Sequence, residues 1–199
     1  MSPHRGWTQA RHLPHTDAAE TAQFITYRLA DALPIEVARR LDGESDPAGD
    51  LRYRDRIEAA LDAGHGRGCL TDPPIAHALI ANWRHFDPDR YRLIAWTVMP
   101  NHVHVLIRIT GEVALGTIVP SWKSWSGRRI RALLSASGQP ASQVWQREYW
   151  DRCIRDERHH EAAIAYIHAN PVKAGLCASE SEWPLSSAAI GCNAIGGSA

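Results

Sequence analysis

Residues 91–110 read YRLIAWTVM, PN, HVHVLIRIT. Two runs rich in β-branched and aromatic residues flank Pro100–Asn101. That spacing predicts an antiparallel hairpin of strands Tyr91–Met99 and His102–Thr110 closed by a tight turn. Successive strand residues point to opposite faces. His102 and His104 therefore share one face, and Val103 and Val105 share the other. Two imidazoles at this spacing can converge on one metal ion, although an H-x-H pair alone also suits a solvated strand face. Asn101 can orient the histidines or form the turn, and its position favours the turn.

Outward from the hairpin, Ala22–Leu29 (AQFITYRL) reads as a strand. Leu51–Ala63 and Pro74–Phe86 have helical spacing, the second with proline in its first turn. Segment 42–50 (DGESDPAGD) is an acidic loop or insert. Ile118–Ser135 is helical, and Gln143–Trp145 is a candidate short strand. Asp156 is placed to cap a helix from about Glu157 to Ala169, which Pro171 should bound. This order predicts an α+β fold, a ferredoxin-like or RRM-like antiparallel sheet with helices packed on one face and the histidines on a central strand. The expected division is a polar arm at 1–20, one domain at 21–187 and a Gly/Ser-rich tail at 188–199.

The chain has 199 residues, of which 44% are apolar and 22% charged, ordinary proportions for a globular domain. Lys and Arg total 22, as do Asp and Glu, which excludes a strongly basic histone-like binder and an acidic disordered chain. The apolar runs fall well short of the roughly 20 residues a membrane helix needs. The first 15 residues carry no apolar signal core, so a cytoplasmic location is expected. Cys69, Cys153, Cys177 and Cys192 form no C-x-x-C pair and are read as reduced packing residues.

Tyr166 and Asn170 are four residues apart, so on a helix a phenol and an amide share a face. His168 then points away. His159 lies two turns earlier, where a surface role fits better.

The stretches MPNHVHVLI (Met99–Ile107), VWQREYWDRCIR (Val144–Arg155), YIHANPVKAGL (Tyr166–Leu176) and SEWPLSS (Ser181–Ser187) occur here in order. Together they resemble the REP-associated tyrosine transposases of the single-tyrosine HUH superfamily, across Ala22–Ser187. The resemblance implies that His102 and His104 are the HUH pair, Tyr166 the nucleophile and Asn170 a third metal ligand. It implies metal-dependent cleavage and rejoining of single-stranded, hairpin or REP-like DNA through a 5′-phosphotyrosine. The substrate would carry a hairpin with a short guide tetranucleotide at its foot. A divalent cation would neutralise and orient the phosphodiester, and either Mg2+ or Mn2+ suits two imidazoles and an amide oxygen. The protein would act as a monomer or homodimer. A domesticated, non-catalytic hairpin-DNA-binding protein is the alternative, and an RNA-binding sheet would leave both residue pairs unexplained.

Neutral net charge permits DNA binding where charge is segregated. From Val113 to Arg147 there is no acidic residue. Lys123, Arg128 and Arg129 are candidates for phosphate contact, with Arg147, Arg152 and Arg155 beside them. Trp122, Trp125 and Trp145 are interleaved and could stack bases, although helical spacing makes core packing the commoner role for the first two.

Overall fold

In a computed structural model, residues 6–10, 13–17, 20–37, 51–110 and 112–189 are described, with the backbone alone at 6–10, 13–17 and 51–55. The acidic stretch 42–50, Cys192 and most of the expected tail lie outside these residues. Strands β1 (Gly6–Ala10) and β2 (Leu13–Asp17) pair as an antiparallel hairpin within the segment expected to be an arm.

The main sheet has four strands: β3 (Ala22–Arg28), β4 (Tyr91–Val98), β5 (His102–Ile109) and β6 (Trp150–Ile154). Their spatial order is β4-β5-β3-β6, and every neighbouring pair is antiparallel. Numbered along the chain, that is second, third, first, fourth, the ferredoxin-like order predicted. The hairpin closes as read, with the Met99 amide donating to the His102 carbonyl at 2.9 Å. Both histidines stand on β5, a central strand.

Helices α1 (Leu51–Asp62), α2 (Pro73–Arg84), α3 (Leu115–Ala136) and α4 (Glu157–Lys173) complete the domain. Alternation sorts the sheet's two faces. Ile25, Tyr27, Val103, Val105 and Ile107 point one way and join Leu79, Trp83, Ile118, Trp122 and Ile130 of α2 and α3 in the main core. Ala22, Leu106 and Ala95 point the other way, against Ala163 and Ile167 of α4. Helices thus cover both faces, and the expectation of one face holds for α2 and α3 only. The small side chains at Ala22 and Ala95 let α4 settle on a sheet face that would otherwise be wet. Fully burying Leu106 and Ile167 is worth about 1.5–3 kcal/mol each.

Two boundaries differ from the sequence reading. The fourth strand is Trp150–Ile154, because WDRCI pairs with β3 through its backbone at the sheet edge, where apolar alternation is not required. Trp145 makes only an isolated bridge to Leu29. Helix α4 runs past Pro171 to Lys173 and closes at Gly175, whose φ of 70° is the left-handed conformation that favours glycine. Proline there costs one amide donor, yet the Ala174 amide still reaches the Asn170 carbonyl at 3.0 Å. At the other end, Asp156 caps the helix as read, accepting from the His159 amide at 2.8 Å.

Residues 183–187 fasten onto β4. The Trp183 indole donates to the Val98 carbonyl, the Val98 amide to the Leu185 carbonyl, and Ser187 meets His168 at 2.8 Å. That pairing covers the end of an edge strand and turns His168 away from the histidine pair, as its spacing predicted.

Candidate active site and metal centre

Strand β5 fixes the histidines, β3 supports them from one side, and α4 and α1 close over them. His102 is 1% exposed and His104 is fully buried. Their Nε2 atoms are 3.2 Å apart. The rings meet edge to face with centroids 4.8 Å apart.

Each outer nitrogen has a fixed partner. Asn101 donates through Nδ2 to the Leu61 and His65 carbonyls at 3.0 and 2.9 Å. That assigns its Oδ1 as the acceptor of His102 Nδ1–H at 2.8 Å, so His102 Nε2 presents a lone pair. Asn101 is therefore more than a turn residue, because it sets the tautomer of His102 and ties the hairpin to α1. On the other ring, Thr26 Oγ1 meets His104 Nδ1 at 2.8 Å. A hydroxyl can donate or accept. When it donates, His104 Nε2–H donates to His102 Nε2. When it accepts, two lone pairs face each other, and a cation between them satisfies both. Burial holds both imidazoles neutral, pulling His104 down to about 3 and His102 well below its ordinary value, with His104 and Arg28 adding to the effect at His102. Neutral imidazole is the form that binds metals.

Helix α4 brings Tyr166 and Asn170 to this face. The Tyr166 ring lies edge-on to His104 with centroids 5.5 Å apart, and Phe24 stacks on His104 at 5.4 Å. Asn170 is 1% exposed and its Nδ2 donates to the Tyr166 hydroxyl at 3.4 Å. Its Oδ1 is buried with no hydrogen-bond partner. Such an orphan costs about 1–3 kcal/mol, which a bound cation would offset.

Helix α1 contributes two carboxylates that the sequence reading did not single out. Glu58 accepts from the Tyr166 hydroxyl at 2.5 Å. Asp62, one turn later, places Oδ1 4.0 Å from His102 Nε2. Burial and then the Glu58 charge hold the Tyr166 phenol well above its usual range. The same two causes, partly offset by Lys173, push Asp62 up to about 6. The only signal in the sequence was an i, i+4 acid pair beside Ile57 and Leu61 on a predicted helix. A cavity of about 230 Å³ opens here, lined by Phe24, Thr26, Glu58, Arg152 and Tyr166.

The donor set fits a divalent cation of the Mg2+ or Mn2+ type: two neutral nitrogens, a buried amide oxygen without a partner and a nearby carboxylate. Among the described residues, no three His, Cys, Asp or Glu side chains already stand in metal-binding geometry.

The basic candidates are divided between places. Arg152 lines the cavity beside Tyr166. Lys123, Arg128 and Arg147 line an open groove with Arg131 and Trp145, between α3 and residues 143–147. Lys123 is tied down there, donating to the carbonyls of Arg147 and Glu148 at 2.7 and 3.1 Å, and burial draws its ammonium to about 8. Arg129 and Arg155 are exposed, on α3 and just before α4. Trp122 and Trp145 are buried, their indoles donating to Tyr91 and Ser126, while Trp125 is 43% exposed. His159 folds back onto the Arg155 amide.

Residues 79–170 match the family described as transposase IS200 like. The chain is 28% identical over 114 residues to the REP-associated tyrosine transposase of Escherichia coli (strain K12), covering 56% of this chain and 61% of that one. The resemblance read from the motifs holds. A putative REP-associated tyrosine transposase of Haemophilus influenzae is 24% identical over 103 residues, 49% of this chain and 58% of that protein. These alignments span less than two thirds of either transposase. The solved structure of a REP-associated tyrosine transposase bound to a REP hairpin superposes with a TM-score of 0.58 at 20% identity, covering 94% of this chain and 86% of that one. It shares the fold. The family match is to a class of enzymes, and it takes in His102, His104, Tyr166 and Asn170. It leaves out α1, and with it Glu58 and Asp62.

Proposed function

We propose that the chain cleaves and rejoins single-stranded or hairpin DNA through a covalent bond between Tyr166 and a 5′ phosphate, and so acts as a DNA transposase. The observation that carries this reading is the meeting of Tyr166 and Asn170 with the His102–His104 pair on one face of the sheet. The REP-associated transposases it resembles supply the substrate class, hairpin DNA of the REP type.

His102, His104 and Asn170 would hold a Mg2+ or Mn2+ ion, which supplies charge neutralisation at the phosphodiester. The rest falls to the chain itself. Asn101 and Thr26 keep the imidazoles aimed inward. Tyr166 attacks phosphorus, the bond to the 3′ oxygen breaks, and that oxygen takes a proton from water and leaves as a hydroxyl. The phenolic proton passes to the group that the hydroxyl already meets, the Glu58 carboxylate. The phosphotyrosine ester keeps the bond energy, so reversal by a 3′ hydroxyl rejoins DNA without a nucleotide triphosphate. Arg152 stands where a phosphate beside Tyr166 would pass, and the groove of Arg128, Arg131 and Arg147 offers a second run of positive charge for the hairpin's backbone. The protein works in the cytoplasm, as a monomer or homodimer. No helix among the described residues is long and apolar enough to cross a membrane.

The test is incubation with labelled hairpin DNA and Mn2+, followed by a denaturing gel. A slow-migrating adduct that a chelator suppresses supports the proposal. DNA binding without adduct favours the non-catalytic hairpin binder, and a preference for plain duplex counts against both.

A further inference from the structure

Helix α1 lies outside the segment that matches the transposase family, yet it presents a carboxylate to the histidine pair. We infer that Asp62 supplies an oxygen ligand to the cation held by His102 and His104. The inference rests on the metal centre proposed above and adds a ligand to it.

Three observations converge. First, Asp62 Oδ1 is buried and has no hydrogen-bond partner, although Asp62 as a side chain is 25% exposed. A carboxylate oxygen in that position ordinarily finds a donor, and an orphan needs an explanation. Second, it stands 4.0 Å from His102 Nε2, the atom whose tautomer is fixed to present a lone pair. With metal–ligand bonds of about 2.1 Å, octahedral neighbours sit about 3.0 Å apart and opposed ligands about 4.2 Å apart. The two imidazole nitrogens at 3.2 Å match the first spacing. Asp62 at 4.0 Å falls between the two, and because the three side chains do not stand as a formed metal site, ligation requires the carboxylate to shift toward the histidines. Third, Asn101 donates to the carbonyl of Leu61, the residue before Asp62, while holding His102 with its other end. One buried amide therefore fixes the relative position of the histidine and the last turn of α1, which carries the carboxylate.

The chemistry has a consequence for which ion is taken. Two nitrogens and an amide oxygen leave the site neutral, so a divalent ion would keep its full charge at the phosphate. A carboxylate removes one unit of that charge and adds a hard oxygen, which suits Mg2+ and Mn2+ better than softer ions. It also places a ligand on α1, the helix that carries Glu58, so the ion and the tyrosine hydroxyl are registered to one rigid element.

The test is direct Mn2+ binding, read from the electron paramagnetic resonance of free Mn2+ during titration of the protein without DNA. The proteins compared are the unsubstituted chain, Asp62→Asn, Asp62→Ala and His102→Ala. The inference expects Mn2+ affinity to fall at least about 10-fold in both Asp62 variants, with circular dichroism showing them folded. Retention of affinity in Asp62→Asn and Asp62→Ala, with loss in His102→Ala, overturns the Asp62 assignment and leaves the histidine centre standing. Undiminished affinity in His102→Ala, or no binding by the unsubstituted chain, overturns the metal centre and the Asp62 assignment together. A second reading uses the unsubstituted chain labelled with 13C-aspartate. Substoichiometric Mn2+ should broaden the Asp62 carboxyl resonance before the other aspartates, and a sharp Asp62 signal overturns the inference.

Discussion

The Tyr166 hydroxyl donates to Glu58 at 2.5 Å, across 108 residues of sequence, and thereby ties α4 to α1 over the histidine pair. The phenol is kept protonated by burial first and by the Glu58 charge second. Removing that charge in Glu58→Gln should lower the pH at which Tyr166 ionises, because a neighbouring anion disfavours phenolate. Ultraviolet titration, with Tyr166→Phe subtracted, measures this. An unchanged or higher ionisation pH would mean that burial alone sets the phenol.

Asn101 makes three side-chain hydrogen bonds while fully buried. Asn101→Ala orphans two carbonyls and one imidazole N–H. The expected loss is about 2–3 kcal/mol of stability, a Tm lower by about 5–10 °C in thermal denaturation. Mn2+ affinity should fall about 10-fold or more as His102 loses its tautomer lock. A turn residue alone would cost far less, as would be seen if Asn101→Ala melted with the parent.

His102→Ala should abolish cleavage while leaving hairpin affinity within about 3-fold, since phosphate contacts elsewhere dominate binding. Fluorescence anisotropy beside the adduct gel separates the two. A loss of binding equal to the loss of cleavage would place His102 in DNA recognition instead.

The two tryptophans of α3 should behave oppositely. Trp122 is buried and its indole holds Tyr91, whose hydroxyl in turn donates to the Trp83 carbonyl at 2.6 Å. Trp122→Ala should cost about 3–5 kcal/mol of stability. Trp125 is exposed on the helix that lines the basic groove, so Trp125→Ala should leave the Tm unchanged and weaken single-strand binding by about 1–3 kcal/mol through loss of base stacking. Among the cations, Arg128→Ala and Arg147→Ala should each reduce the salt dependence of binding by about one phosphate contact. Lys123→Ala should instead loosen residues 147–148, whose carbonyls it holds.

The histidine strand was legible because period-2 alternation and a Pro-Asn turn are local signals, and the Tyr166–Asn170 spacing was legible because i, i+4 is a property of any helix. Their meeting was not, since no local rule says which face of the sheet α4 covers. The family resemblance supplied that, and Ala22, Ala95 and Leu106 supply the physical reason. Strand β6 escaped because WDRCI is an edge strand held by backbone pairing. The end of α4 was misread because Pro171 removes one donor without breaking the turn around it. Glu58 and Asp62 escaped because an acid on a surface-like helix carries no sign of facing inward until the tertiary fold brings its partners.

Mass spectrometry of the covalent DNA adduct, after protease and nuclease digestion, bears most directly on the whole account. The expected result is a nucleotide-bearing peptide modified at Tyr166, absent from Tyr166→Phe and from samples treated with chelator. An adduct on any other residue, or one that persists in Tyr166→Phe, would contradict it.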